Sequence, residues 1–290
     1  MGTVYLNGDF VDADQARISP MDRGFLLGDG VYEVIPVFNG VPFRLDEHLQ
    51  RLARSLREVR LNDPHDGAGW RRLCQELVAR NGGGHLSLYL QITRGVGATR
   101  DHGFPEPPVA PTVFMTTSPL AVPEPAADQP ARTAGVAAIT LDDIRWGRCD
   151  IKSVSLLANL LLRQQALDAG AAEAILIRQG QVTEGAASNV FLVRDGAIHT
   201  PPLSHHLLGG ITRDLVIELC QEHGLPVRER PLQAAELADA DEIWLSSSTR
   251  DVLPVTRLDG QPVGDGSPGD TWKTLANHYI GFKRHLCGLN

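Results

Sequence analysis

An α+β fold in two domains is predicted by three features of the 290-residue chain. Short strands closed by Asn-Gly and Asp-Gly turns are interspersed with amphipathic helices, without the strict alternation of a doubly wound sheet. A proline-rich stretch of little periodicity divides the chain near its middle. Hydrophobic residues make up 42% of the sequence, enough for a substantial core and too many for wholesale disorder.

Residues 4–6 and 10–11 flank Asn7-Gly8-Asp9, and residues 31–38 and 41–43 flank Asn39-Gly40, so both pairs read as hairpins. Asp46 then caps a helix reaching Arg60, whose apolar stripe is Leu49, Leu52, Ala53, Leu56 and Val59. A second helix covers residues 69–80 and stops at glycines 82–84. Leu86, Leu88, Leu90 and Ile92 alternate with polar residues, which marks a strand with one buried face; residues 112–117 read as its partner. Between these strands, residues 95–111 form a Gly- and Pro-rich connection carrying Arg100 and His102. Loops beyond about 12–15 residues inside a domain are usually functional or disordered.

Prolines at 119, 123, 125 and 130 set the boundary. Residues 1–118 are expected to form a smaller N-terminal α+β domain, 119–132 a linker, and 133–290 a larger C-terminal α+β domain carrying Lys152. That domain reads as a strand at 136–140, a largely buried helix at 153–169 and a strand at 174–178. A hairpin at Asp195-Gly196, a helix at 212–223, a strand at 242–246 and a hairpin at Asp259-Gly260 follow.

Composition narrows the function. A formal charge of −8 and a pI near 5.7 argue against nucleic acid or acidic membranes as partners. No apolar run approaches the roughly 18 residues of a membrane span. Residues 1–10 carry Asp9 and no apolar block, so no signal peptide is expected and the chain reads as soluble and cytoplasmic. Cys74, Cys149, Cys220 and Cys287 are far apart and the ten histidines include no HExxH, so neither a disulfide framework nor a metal site is suggested.

Of 27 basic residues only Lys152, Lys273 and Lys283 are lysines. Lys273 and Lys283 read as solvated charges near the C-terminus. Lys152 stands where an extended segment meets an apolar helix; desolvation there would lower its pKa and make the amine nucleophilic, as in lysines that form Schiff bases. Read alone, it fits better a lysine snorkelling at a helix start. Glu184, in Thr183-Glu184-Gly185, fits either a turn carboxylate or the partner of a pyridine nitrogen. Gly209-Gly210-Ile211-Thr212 before a helix fits either a phosphate cup or an ordinary N-capped turn. Ser246-Ser247-Ser248-Thr249 offers hydroxyl donors or plain loop. Arg51 lies on the polar side of its helix, so periodicity makes it a solvated charge.

Taken together, several stretches carry a resemblance. They are Met21-Asp22-Arg23-Gly24 through Gly28-Asp29-Gly30-Val31-Tyr32-Glu33, Glu47-His48-Leu49-Gln50-Arg51, Arg100-Asp101-His102, Asp143-Ile144-Arg145-Trp146 through Lys152-Ser153, Thr183-Glu184-Gly185 and Gly210-Ile211-Thr212-Arg213-Asp214. In this order the chain resembles the fold-type IV pyridoxal-phosphate aminotransferases and, within them, the D-amino-acid transaminases. The resemblance implies two domains with the cofactor, pyridoxal 5'-phosphate, at the domain interface. It implies transamination between a D-amino acid and a 2-oxo acid, such as D-alanine with 2-oxoglutarate, through a Schiff base on Lys152. Glu184 would pair with the pyridine nitrogen. Arg51, the amides of Ile211 and Thr212, and Ser248 would hold the phosphate. Tyr32, Arg100 and His102 would bind the substrate α-carboxylate, the last two from the other subunit of a homodimer. Branched-chain aminotransferases of this fold do not use the Arg-x-His pair. The alternatives on the same fold are branched-chain L-amino-acid or (R)-amine transamination, or aminodeoxychorismate lyase chemistry. Ala186-Ala187 and Arg250 depart from the family pattern, near the substrate and beside the phosphate turn, and bear on side-chain preference.

Overall fold

Pairs of residues with positive φ close the hairpins. Asn7-Gly8 (52° and 113°), Asn39-Gly40 (51° and 76°), Asp195-Gly196 (52° and 72°) and Asp259-Gly260 (49° and 79°) adopt the backbone that two-residue hairpin loops require. Gln179-Gly180 (52° and 78°) closes a fifth, unmarked in the sequence because glutamine is not a usual turn residue. The computed structural model describes residues 2–120 and 134–288. Apart from Pro119 and Leu120, the expected linker lies outside the described residues. Two compact units result: residues 2–120 with 151–156 and 286–288, and residues 134–150 with 157–285.

The first unit runs β1 (Thr3–Leu6), β2 (Asp9–Asp12), α1 (Arg23–Leu27), β3 (Gly30–Phe38), β4 (Val41–Pro42), α2 (Leu45–Glu58), α3 (Gly67–Arg80), β5 (Leu86–Thr93) and β6 (Thr112–Pro119). Its sheet is antiparallel, in the order β2-β1-β6-β5-β3-β4. The alternating residues of β5 point inward as expected, and Leu88, Leu90 and Ile92 pack with Leu52, Leu56, Trp70 and Leu77 of α2 and α3. α2 begins one residue before Asp46, after Arg44 in the left-handed region. Asp46 is therefore not its cap but sits in its first turn.

The second unit holds β7 (Val136–Asp142), α4 (Leu157–Asp168), β8 (Glu173–Arg178), β9 (Gln181–Gly185), β10 (Asn189–Arg194), β11 (Ala197–Thr200), α5 (Ile211–Glu222), β12 (Val227–Glu229), β13 (Glu242–Ser247), β14 (Asp251–Leu258), β15 (Gln261–Pro262) and α6 (Asp270–Cys287). Its sheet is mixed, in the order β12-β11-β10-β13-β14-β7-β8-β9 with β15 on β14. The β14–β7, β7–β8 and β11–β12 pairs are parallel. The α+β expectation therefore holds in both units. Among the described residues no helix is long and apolar enough to cross a membrane.

Three local readings are corrected. The segment Ile151–Leu156, expected in the C-terminal domain, clusters with the first unit. Its backbone pairs with β3: the Tyr32 N–H donates to the Lys152 carbonyl at 3.0 Å, and the Val154 N–H to that of Gly30 at 3.0 Å. These bonds keep the segment extended, so the helix starts only at Leu157. That helix is not largely buried, because Leu157, Leu160 and Leu161 are 72%, 61% and 51% exposed. Lys283, expected in solvent, is 1% exposed on α6.

Candidate active site

In the first unit the site starts from the alternation of β3. Val31, Glu33, Ile35 and Val37 share its buried face, so a carboxylate lies in an apolar row and needs partners. α2 supplies them. Arg51 gives Nε to Glu33 Oε1 at 2.8 Å and Nη2 to Oε2 at 2.7 Å, a forked charge-assisted pair. His48 Nδ1 lies 2.7 Å from Oε2. Burial alone would raise the Glu33 carboxyl, but the charge and hydrogen bonds of Arg51, with those of His48, hold it down to about 2. Burial lowers the His48 pKa against the pull of Glu33, so the neutral ring donates from Nδ1. Arg51 is thus not the solvated charge that periodicity indicated, while Ala53 is exposed. The spacing of His48, Arg51 and Ser55 is the sequence signal that could have revealed this polar, inward-facing stripe.

Lys152, in the extended segment 151–156, packs against the same elements. Its backbone N–H reaches Ser55 Oγ at 3.4 Å, and its Nζ stands 4.2 Å from the centre of the Tyr32 ring. Tyr32 and Lys152 are both half-buried.

Arg100 and His102 sit elsewhere in this unit. They are exposed and line a recess of about 520 Å³ with Arg23, Asp29 and Phe104, among others; Tyr32 is not part of its lining. Arg23, 4% exposed, holds this loop by its backbone, donating to the Asp101 carbonyl at 2.7 Å. Arg94 lies 3.7 Å over the Phe104 ring. Asp29 bridges the two arginines at 2.8 Å each. Sequence reading gave none of these three a role.

In the second unit Glu184, on β9, is buried and held on both oxygens. Arg145 donates Nη1 to Oε1, while Asn189 Nδ2 and the Leu208 N–H donate to Oε2 at 3.3 and 3.0 Å. Burial pushes the carboxyl up to about 7 against the pull of the Arg145 guanidinium. Asn189 also donates to the Leu208 carbonyl at 2.8 Å, and a Cβ at Gly210 would collide with its Oδ1. This close approach ties Glu184 to the loop entering α5. Arg145 was missed because its partner is 39 residues away and no local pattern marks it.

Ile211 and Thr212 open α5, and no side chain caps Gly210 before them. The first turn of a helix has N–H groups without intrahelical partners, which suit an anion. Ser248 is half-buried in the β13–β14 turn. Two residues earlier Ser246, in register with Asn189, is 1% exposed, and its Oγ meets no hydrogen-bond partner among the described residues. A buried hydroxyl without a partner is costly in a finished core and fits a place built for a polar ligand. Glu184, Ile211, Thr212 and Ser248 therefore belong to one unit, and Lys152, Tyr32, Arg51, Arg100 and His102 to the other.

Comparison with known proteins identifies the family. The Amino-transferase class IV profile matches residues 30–258. A D-alanine aminotransferase from Bacillus licheniformis is 43% identical over 272 residues, 94% of each chain. One from Staphylococcus epidermidis is 38% identical over 286 residues, covering 99% of this chain and 98% of the relative. Among solved structures, the branched-chain amino acid aminotransferase of T.th. complexed with N-(5'-phosphopyridoxyl)-L-glutamate has a TM-score of 0.89 at 27% identity, covering 100% of this chain and 95% of that one. The chain belongs to the class IV aminotransferases.

Proposed function

We propose that the protein is a pyridoxal 5'-phosphate-dependent D-amino-acid transaminase, moving an amino group from a D-amino acid such as D-alanine to a 2-oxo acid such as 2-oxoglutarate. The observation that carries the cofactor reading is the buried Glu184 carboxylate, gripped at both oxygens beside the loop that enters an uncapped helix N-terminus. The D-amino-acid reading is supported by relatives of that name at 43% and 38% identity over nearly the full length.

The residues present fit this cofactor: an acid for the ring nitrogen, amides and hydroxyls for a phosphate, and one half-buried lysine. When bound, the cofactor supplies an aldehyde carbon that takes up the amino group and a protonated ring that accepts the electrons of the Cα–H bond. Lys152 would hold it through Nζ, and its amine would carry the proton between the substrate Cα and the cofactor's aldehyde carbon. Glu184 would keep the ring nitrogen protonated, with Arg145 drawing its buried carboxyl towards the ionised form. Arg51, oriented by Glu33, contributes to the phosphate site with the amides of Ile211 and Thr212 and the hydroxyl of Ser248. Tyr32 lies beside the lysine to meet the α-carboxylate. Arg100 and His102 complete that clamp in a second copy of the chain, which is why they gather in a recess that Tyr32 does not line. The exposed leucines of α4 support such a homodimer, since apolar patches of this kind mark interfaces. Four buried cysteine thiols fit a reducing, cytoplasmic setting.

A panel of D-alanine, L-leucine and an (R)-amine, each with 2-oxoglutarate, tests the reading. D-alanine should be turned over in clear preference. Preference for L-leucine would transfer the chain to the branched-chain activity named for its structural relatives, and no turnover of any would overturn both.

A further inference from the structure

A buried ion pair braces the turn that carries Ser248. The Nζ of Lys283, on α6, donates to both carboxylate oxygens of Asp251 at 2.8 Å. Asp251, 4% exposed, is the first residue of β14, directly after Ser248-Thr249-Arg250. Its φ is 55°, the left-handed region that a non-glycine residue occupies only where its surroundings over-determine it. The same helix grips the next residue, for Trp272 Nε1 donates to the Val252 carbonyl at 3.1 Å. On the other side Arg250 gives Nη2 to Oε2 of the fully buried Glu173 at 2.5 Å. The turn is thus fixed to α6 through Asp251 and to β8 through Arg250.

A buried ammonium–carboxylate pair is a poor source of net stability, because both ions lose their hydration. What such a pair does well is fix geometry. Its geometry here is fixed on the turn that bears a phosphate-binding hydroxyl. We propose that Lys283 is a positioning residue of the cofactor site: acting through Asp251, it holds the β13–β14 turn so that Ser248 meets the cofactor phosphate. This rests on the reading that Ser248 binds that phosphate.

The test is the affinity of the full-length protein for pyridoxal 5'-phosphate and for pyridoxal, which lacks the phosphate. Lys283→Met with Asp251→Asn removes the ion pair without burying a lone charge, which guards against a single variant that fails to fold. The double variant should bind pyridoxal 5'-phosphate about tenfold more weakly or worse, and pyridoxal within about twofold of the unaltered protein. Lys283→Arg, keeping the charge, should retain both affinities. Ser248→Ala should show the same phosphate-selective loss. Equal losses for both ligands in the double variant, or none, overturn the proposal while a selective loss in Ser248→Ala leaves the phosphate reading intact. No selective loss in Ser248→Ala overturns the phosphate reading, and the proposal with it.

Discussion

Arg145 gives Nη1 to Oε1 of Glu184 while its other edge rests on Asp143, with Nε 2.9 Å from Oδ1 and Nη2 3.0 Å from Oδ2. Even with this guanidinium in contact, burial keeps the Glu184 carboxyl near 7 rather than the usual 4.5. A protonated ring nitrogen set against this carboxyl, as proposed, would draw it back towards the ionised form.

The cofactor-free protein should show this as a pH effect. Between pH 4.5 and 7 the folded state binds a proton at Glu184 that the unfolded chain has released, so stability falls as pH rises through that window. Urea unfolding of the unaltered protein and of Glu184→Gln, compared across pH, isolates this group. The difference should slope downward between pH 4.5 and 7 and be flat outside it. Parallel curves would mean that the carboxyl is not perturbed. With cofactor bound, the same variant should turn over roughly a hundredfold more slowly or worse, as when a preorganised charge is lost.

Glu33 has the opposite sign. Its carboxyl is held at about 2, so its contribution is complete above pH 4.5 and is lost as pH falls towards 2. At 1.36 kcal/mol per pH unit, the gap is worth roughly 3 kcal/mol. Glu33→Gln leaves Arg51 buried without its forked partner and should cost about 3–5 kcal/mol in denaturant unfolding at pH 7. A loss below about 1 kcal/mol would show that Arg51 finds its counter-charge elsewhere.

Reduction of the holoprotein with borohydride should fix the cofactor on a peptide containing Lys152. Peptide mapping decides among three lysines whose settings differ. Lys273 is exposed and paired with Asp270, and Lys283 is buried against Asp251. A label on either of those would remove Lys152 from its proposed role.

These three lysines also show what was legible in the sequence. Hairpins were readable because Asn-Gly and Asp-Gly pairs encode their own positive φ, and β5 because alternation is local. Arg51 was misread because helical periodicity assigns charges to solvent, and Lys283 because its polar neighbours near the C-terminus read as solvated; only partners 18 and 32 residues away bring them inside. The leucines after Lys152 failed in reverse, since apolarity was read as burial while Leu157 and Leu160 stand exposed. Arg145 had no local signal at all. The resemblance supplied the candidate residues of the site, and the network holding each in place belongs to tertiary structure.

Arg100→Leu tests the substrate clamp. A charge-assisted pair to a carboxylate contributes roughly 1.5–3 kcal/mol per bond, so kcat/KM for D-alanine should fall at least about tenfold, mostly through KM. An amine lacking a carboxylate should be indifferent to the change. Equal impairment of both substrates would place the clamp elsewhere.

The most direct measurement is a single half-reaction. Holoenzyme is mixed with D-alanine alone, then separately with L-alanine, and released pyruvate is counted per chain. Without a 2-oxo acid to accept the amino group, D-alanine should yield roughly one pyruvate per chain and stop, while the cofactor's absorbance shifts in step. L-alanine should yield far less on the same timescale. A stoichiometric burst from L-alanine with none from D-alanine would contradict the account.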